Sequence, residues 1–352
     1  MGGVSHIDAT VLIPTCGRAD KIRQCVRLLG QQTVDTSRFE VLVGVDGLDA
    51  GIEPMLREFW VGPRNHLRVR TFSRRGQAGV RNALLEEARG ETLIFLNDDM
   101  RPEPALIEAH LSAQRQLSGD GRPTIVVGDS PWIVHEVDRM FDLLVRETSM
   151  IFFYDRMRAA PDAWERDWGF RHAWMLNLSI PAWAVYEVGG LSEFPSTYGF
   201  EDDELAWRLR ERFGSQVRYR PDAVAWHDHR YEPASYLERE YRLGYAALGF
   251  AQAAPACACE LFGRDLLDEM EGAYTRQFVE RERVGAQRAL GPFRQLAQMP
   301  ASFAEGPFAR ELIEVCYSQH VPLKRWFWRS GLLDALVGAE QRERGPQLMQ
   351  AA

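Results

Sequence analysis

The stretch TLIFLNDD, Thr92 to Asp99, decides how the rest of the chain is read. Leu93, Ile94, Phe95 and Leu96 form an apolar run of strand length that leads directly into Asn97, Asp98 and Asp99. A buried strand cannot continue through adjacent carboxylates unless they are paired or neutralised, so these acids belong at the strand's end. In an open α/β sheet the carboxyl ends of the strands are where ligands bind, and two acids there can seat a divalent cation. The same residues also suit a solvated turn, which Asp favours. What the neighbouring segments carry separates the two readings.

Upstream, Thr10 to Pro14 is a short β-branched run, followed by Ile22, Val26 and Leu29 at helical spacing. Phe39 to Val45 reads as a second strand and ends on Asp46-Gly47; Leu67 to Phe72 reads as a third. Gly76 to Ala88 reads as a loop entering a helix, and the strand ending in Asp98 and Asp99 follows. Downstream, Pro102 to Leu117 has helical spacing with its prolines in the first turn, and Thr124 to Val127 is strand-like. The aromatic and charged segment from Trp132 to Phe170 reads either as a substrate-facing insertion or as a second packing layer. Trp174 to Ile180 is strand-like, Glu201 to Glu204 lead into a helix ending at Phe213, and Arg218 to Trp226 is a last strand that delivers His227-Asp228-His229-Arg230. Strand and helix alternate, the pattern of an α/β protein with a mostly parallel central sheet and helices on both faces. From Glu232 onward, Ala, Glu, Arg and Leu at helical spacing predict a helical extension.

Composition narrows the function classes. A net charge of −8 argues against broad binding to nucleic acid, which needs a concentrated basic surface. No apolar run approaches the ~20 residues of a membrane span, and no secretory leader is read at the amino terminus, so the expectation is a cytoplasmic protein. Five irregularly spaced cysteines, including Cys257 and Cys259, do not form a disulfide framework. The basic, aromatic stretch Val321 to Leu333 suits either a peripheral membrane contact or a packed helix with an aromatic face.

The motifs VLIPTCGR (from Val11), VGVDG (from Val43), GQAGVRNAL (from Gly76), FLNDDM (from Phe95), NLSIPAWAVYEVGGLSE (from Asn177), GFEDDELAWRL (from Gly199) and WHDHR (from Trp226) stand in this order. Together they resemble the family 2 glycosyltransferases, over about Ile7 to Tyr231. The resemblance implies the GT-A nucleotide-diphospho-sugar transferase fold, with a catalytic domain over 1–231 and a helical C-terminal extension over 232–352. It also implies an inverting, metal-dependent glycosyltransferase that moves a sugar from a UDP- or dTDP-sugar donor to a hydroxyl on a glycan or small-molecule acceptor, in glycan, polysaccharide or glycoconjugate synthesis.

Residue by residue, the resemblance places Pro14 and Thr15 at the nucleobase and ribose, and Asp46 on a base N–H. Gln77 and Arg81 border the diphosphate and sugar, although Arg81 also suits an ion pair on the helix surface. Asp98 contacts the ribose, and Asp99 coordinates Mn²⁺ or Mg²⁺. Asn97 stands where the family's motif has its first Asp, so it adds no charge. Asp202 takes the place of the general base and Glu201 orients the acceptor or the loop. His227 completes the metal shell or, like His229, hydrogen-bonds the diphosphate; Asn177 and Gly190 lie near the acceptor. Two other readings stand beside this one, a sugar-nucleotide nucleotidyltransferase and a non-catalytic nucleotide-sugar-binding protein. PTCGR offers one glycine and one arginine, poor for the first, and a pure binding module needs no base at Asp202.

Overall fold

The apolar runs of the amino-terminal half become buried strands. A computed structural model describes residues 6–195 and 199–340. The strands are β1 (Ala9–Thr15), β2 (Phe39–Asp46), β3 (Leu67–Phe72), β4 (Thr92–Leu96), β5 (Met100–Pro102), β6 (Ile125–Asp129), β7 (Asn177–Pro181) and β8 (Val217–His227). Helices α1 (Ala19–Leu29), α2 (Ile52–Phe59), α3 (Gly76–Leu85), α4 (Leu106–Leu117), α5 (Met140–Glu147), α6 (Tyr154–Ala159), α7 (Ala182–Glu187) and α8 (Glu201–Phe213) alternate with them. Pro102 is a correction to the sequence reading: it closes β5, and the helix starts only at Leu106. Its ring and missing N–H are tolerated in a three-residue strand that pairs on one side only.

The sheet order is β3-β2-β1-β4-β7-β6-β8-β5. β1 pairs in parallel with β2 and β4, β2 with β3, and β6 with β8, whereas β7 runs antiparallel to β4 and β6. The chain builds outward from β1 to β3 and then returns to β4 on the other side of β1. This reversal makes the carboxyl ends of β1 and β4 the switch point, the place where open α/β sheets bind their ligands. Every residue of β1 and β4 is buried, and α1 buries Ile22, Cys25, Val26 and Leu29.

The amino ends of the same strands are joined by a buried carboxylate. Glu40 on β2 is fully buried and accepts from Thr10 Oγ1 (2.8 Å), Arg89 N (2.8 Å), Arg89 Nε (2.8 Å) and Arg68 Nη2 (2.7 Å). Burial raises its pKa, but these donors outweigh it and hold the carboxyl below the usual glutamate value.

Two compact units partition the chain: residues up to 133, 156–193 and 201–229 form the first; 134–155, 194–200 and everything from 230 form the second. The second thus takes two segments from within 1–231. Its long helices are α9 (Pro233–Ala253), α10 (Pro255–Phe262), α11 (Glu269–Gln298) and α12 (Ala309–Leu336). α9 and α12 touch through glycines: a Cβ on Gly244 would stand 1.8 Å from Trp328 O, and one on Gly331 2.0 Å from Tyr241 O. In the stretch from Val321 to Leu333, Leu323, Trp326, Phe327 and Leu332 are buried, and Trp326 Nε1 donates to Val279 O at 3.1 Å. That stretch is therefore a packed helix with an aromatic face. Among the described residues no helix is long and apolar enough to cross a membrane. Cys257 is buried and Cys259 exposed on α10, and the cysteines are free thiols.

Glu40→Gln should lower unfolding stability by roughly 1–3 kcal/mol, the cost of leaving buried donors poorly matched. Because the folded-state pKa is depressed, the stabilisation is fully present above the normal glutamate pKa and is lost as pH falls through the folded value. Urea denaturation of wild type and variant at pH 7 and at pH 4 should show the gap narrowing at the lower pH.

Candidate functional site

At the switch point the acids meet two arginines. Asp98 and Asp99 follow β4, and both are buried. Thr15, the last residue of β1, donates its hydroxyl to Asp98 Oδ2 at 2.6 Å. Beyond it the chain turns through Gly17, in the left-handed region at φ 64°, and presents Arg18 at the start of α1. Arg18 Nε donates to Asp98 Oδ2 (3.1 Å), Nη2 to Asp98 Oδ1, and Nη1 to Asp99 Oδ2 (2.6 Å). Burial, with the charge of Asp99 beside it, pushes the Asp98 carboxyl up to about 6 against the pull of Arg18. Burial also acts upward on Asp99, but His227, Arg18 and His229 outweigh it and hold this carboxyl well below the usual range.

Arg81, on α3, is the second cation and is almost wholly buried. Its Nη1 donates to Gln77 Oε1 (3.1 Å), its Nη2 donates to Asn97 Oδ1 (2.9 Å), and Glu201 lies 3.9 Å away. Burial lowers its pKa, opposed by the charges of Asp202, Glu201 and Asp98. Arg81 is thus no surface ion pair. It joins the end of β4 to the start of α8, and it explains Asn97, whose amide oxygen satisfies the guanidinium without adding another charge. The chain enters α8 through Phe200 at φ 74°, a conformation costly for an aromatic residue. Asp202 then accepts from Met175 N at 3.1 Å, which orients its carboxylate. Burial and the charges of Asp202 and Glu201 push Asp203 up. Glu204 pairs with Arg208, Nε to Oε1 at 2.6 Å.

Strand pairing brings the histidines in. β5 runs antiparallel to β8 with Met100 opposite His227, and Asp228 N donates to Asp99 O at 2.8 Å. His227 Nε2 stands 3.6 Å and His229 Nδ1 3.7 Å from Asp99 Oδ2. The Trp132 ring stacks on His227 at 4.2 Å, and the two imidazoles lie 5.9 Å apart. Burial, then the charge of His227, lowers His229 to about 4. Asp228 is held by Lys21 (2.6 Å) and Arg101 (2.5 Å).

Other predicted site residues have fold duties. Asp46 receives the backbone N–H groups of Arg75 (2.7 Å) and Gly76 (3.2 Å), so it caps α3. Pro14 is buried in β1. Asn177 is fully buried: both amide hydrogens go to Asp129 O (3.0 Å) and Ala223 O (2.9 Å), and Oδ1 faces His110 Nε2 (2.9 Å). Gly190 is a turn residue at φ 77°, where a Cβ would stand 2.8 Å from Asn82 Oδ1. The Asn177 amide is thus spent on the fold, and Gly190 serves as the backbone of a tight turn. Arg18, Trp132, Asp228 and its two cations are the residues missed by sequence reasoning. Arg18 alone had a signal, as the cation just past the end of β1.

Among the described residues no three His, Cys, Asp or Glu side chains are spaced as a ready-made metal cage. The donor set nonetheless fits a hard cation that takes most of its ligands from a phosphate. Asp99 Oδ1 is buried without a hydrogen-bond partner, beside Asp98, His227 and His229. A cavity of about 680 Å³ lies elsewhere, beside the amino end of β4 between His6, Glu91, Thr92 and Trp183, and none of these acids lines it.

The fold, with its switch point between β1 and β4, is of the GT-A type. Among solved structures the chain is similar to a mannosyltransferase, PcManGT from Pyrobaculum calidifontis, in complex with GDP-Man and Mn²⁺, with a TM-score of 0.56 and 18% identity over 96% of this chain and 89% of that one. It is also similar to TarS 1-349 of S. aureus, with a TM-score of 0.50 and 13% identity over 96% and 93% of the two chains. Residues 10–167 match the model of Glycosyl transferase family 2. Over that segment the chain resembles the family. It is 26% identical over 255 residues to a pre-mycofactocin glycosyltransferase of Mycobacterium tuberculosis, covering 71% of this chain and 48% of the relative. It is 26% identical over 245 residues to a validoxylamine A glucosyltransferase of Streptomyces hygroscopicus, covering 59% and 53%. The chain spans about half the length of these curated relatives.

Asn177→Ala should act on stability: removing a fully satisfied buried amide strands two carbonyls and His110, at a cost of roughly 1–3 kcal/mol. Urea denaturation should show a lower midpoint, while nucleotide affinity by calorimetry stays at the wild-type value.

Proposed function

We propose that this protein is an inverting, metal-dependent glycosyltransferase that moves a sugar from a nucleotide-diphosphate donor to a hydroxyl acceptor. The observation that carries the proposal is the buried Arg81 bridge, which ties Asn97, next to Asp98 and Asp99, to Glu201, the residue before Asp202 at the start of α8. One crevice thus holds both a seat for a diphosphate and a candidate base.

Asp99, with His227 or His229, would hold Mn²⁺ or Mg²⁺, and Asp98 would meet the ribose with Thr15 and Pro14 nearby. The cation would offset the charge that grows on the departing diphosphate. Asp202, oriented by Met175 N, takes the proton from the acceptor hydroxyl as its oxygen attacks the anomeric carbon. The bond to the nucleotide diphosphate breaks on the opposite face, so a single displacement inverts the centre. Glu201 orients this edge of the site, with Gln77 and Arg81 bordering the diphosphate. Catalytic work falls to the domain over 1–231, with 232–352 as its helical extension, and the product belongs to glycan, polysaccharide or glycoconjugate synthesis.

For the base, a carboxylate on β2 that accepts an N–H favours a uracil or thymine nucleotide. Asp46 keeps lone pairs beyond the two that cap α3. The neighbour bound to GDP-Man supports a second reading, a guanine nucleotide.

Thermal unfolding with UDP-, dTDP- and GDP-sugars, each with Mn²⁺, separates these donors. The correct one at a hundredfold excess over its Kd adds about 2.7 kcal/mol of stability, which raises Tm by several degrees. No shift with any member of the panel would set aside the nucleotide-sugar site itself. Asp202→Asn should lower transfer by a factor of roughly 10² to 10⁴ and leave nucleotide affinity unchanged. Wild-type turnover in that variant would remove Asp202 from the base role. A protein that binds a donor but neither hydrolyses nor transfers its sugar would be a binding module.

A further inference from the structure

The guanidinium of Arg18 occupies a place in the crevice that nothing in the proposed chemistry requires it to hold permanently. Its recorded hydrogen bonds all go to Asp98 and Asp99, three in number, and they bridge the two carboxylates. Its side chain remains 38% exposed while those acids are buried. It is carried on the turn through Gly17, and no side-chain cap ties it to α1. Arg81 differs in each respect: it is 1% exposed and fixed by Gln77 and Asn97. Lys21, one turn further along α1, pairs with Asp228 and not with these acids. Arg18 is thus the cation that can leave the acid pair without breaking another recorded bond.

The second oxygen of Asp99, Oδ1, is buried and unpartnered, so the carboxylate is only half satisfied by the arginine. A hard divalent cation would use Asp99 oxygens, but a guanidinium bridging Asp99 and Asp98 places positive charge against that seat. Arginine and metal cannot share it at low cost. A nucleotide diphosphate, which brings negative charge of its own, relieves the conflict by offering both cations oxygens to bind.

We propose that Arg18 is the resident counter-cation of the Asp98–Asp99 pair, which a divalent cation must displace, so that metal alone binds weakly and metal and nucleotide diphosphate bind cooperatively. This rests on the metal seat of the proposed function. It adds a positioning role for a residue on the turn after β1 and makes the coupling between the two ligands a property of that residue.

Manganese binding followed by the EPR signal of free Mn²⁺, with and without UDP, tests this in the full chain. Arg18→Ala should bind Mn²⁺ in the absence of UDP more tightly than wild type by roughly tenfold or more, as a unit positive charge leaves the ligating oxygens. The factor by which UDP tightens Mn²⁺ binding should shrink. Arg18→Lys keeps the charge without the bidentate fork and should fall between the two. Thermal unfolding confirms that each variant is folded, and Arg18→Lys alone carries the comparison if Arg18→Ala is not. Arg23→Ala removes a charge of the same helix that pairs with the exposed Asp20 and should stay at the wild-type affinity.

Mn²⁺ affinity in the Arg18 variants equal to wild type, with binding abolished by Asp99→Ala, would overturn the counter-cation role and leave the metal seat standing. An equal gain in Arg23→Ala would overturn it as well, reducing the effect to general surface charge. Absence of Mn²⁺ binding in every variant, with and without UDP, would remove the metal seat and this inference with it.

Discussion

The structure around the crevice depends on the cost of burying carboxylates side by side. Two unit charges about 4 Å apart repel by roughly 4 kcal/mol at an effective dielectric near 20, and Asp98 and Asp99 are both buried at the end of β4. Such a pair persists only where positive charge is supplied. Arg18 bridges both acids from the turn after β1, and Arg81 stands behind Asn97 from α3. The start of α1, the face of α3 and the first turn of α8 are therefore bound to one electrostatic requirement. Burial still pushes the Asp98 carboxyl up to about 6 against the pull of Arg18.

Backbone pairing supplies what charge alone does not. The three-residue strand β5 is short, yet its antiparallel register with β8 sets His227 opposite Met100 and locks Asp228 N to Asp99 O. Trp132 then closes over His227 as a flat lid. His227 reaches Asp99 through the β5–β8 pairing, and the Asp228 N–H to Asp99 O bond just beyond it brings His229 alongside. At the other end of β1 and β2, Glu40 ties the strands to Arg68 and Arg89. The same physics, a buried carboxylate matched by donors from several elements, serves stability at one end of the sheet and ligand chemistry at the other.

Much of the first unit was legible in the sequence because each buried strand is a continuous apolar run that stops where polar groups must meet solvent or ligand. β1, β2 and β4 follow that rule, whereas β3, LRVRTF, alternates apolar and charged residues at its partly exposed position. β5 was not legible: three residues containing a proline carry no period, and only the partner strand makes Met100 to Pro102 extended. Asn177 and Gly190 show a second limit. Their residue types suit a ligand or a fold contact equally, and neighbours distant in sequence, Ala223 and Asn82, decide for the fold contact.

The sequence by itself determined the alternation of strand and helix, the family resemblance, and the set of acids at strand ends, because hydrophobic period and chain punctuation are local. Only the tertiary structure decided which cation faces which acid. Arg18 and Arg81 read alike along the chain, yet one is a releasable bridge over Asp98 and Asp99 and the other a buried strut. That difference comes from burial and from partners across the sheet, which no window of sequence contains.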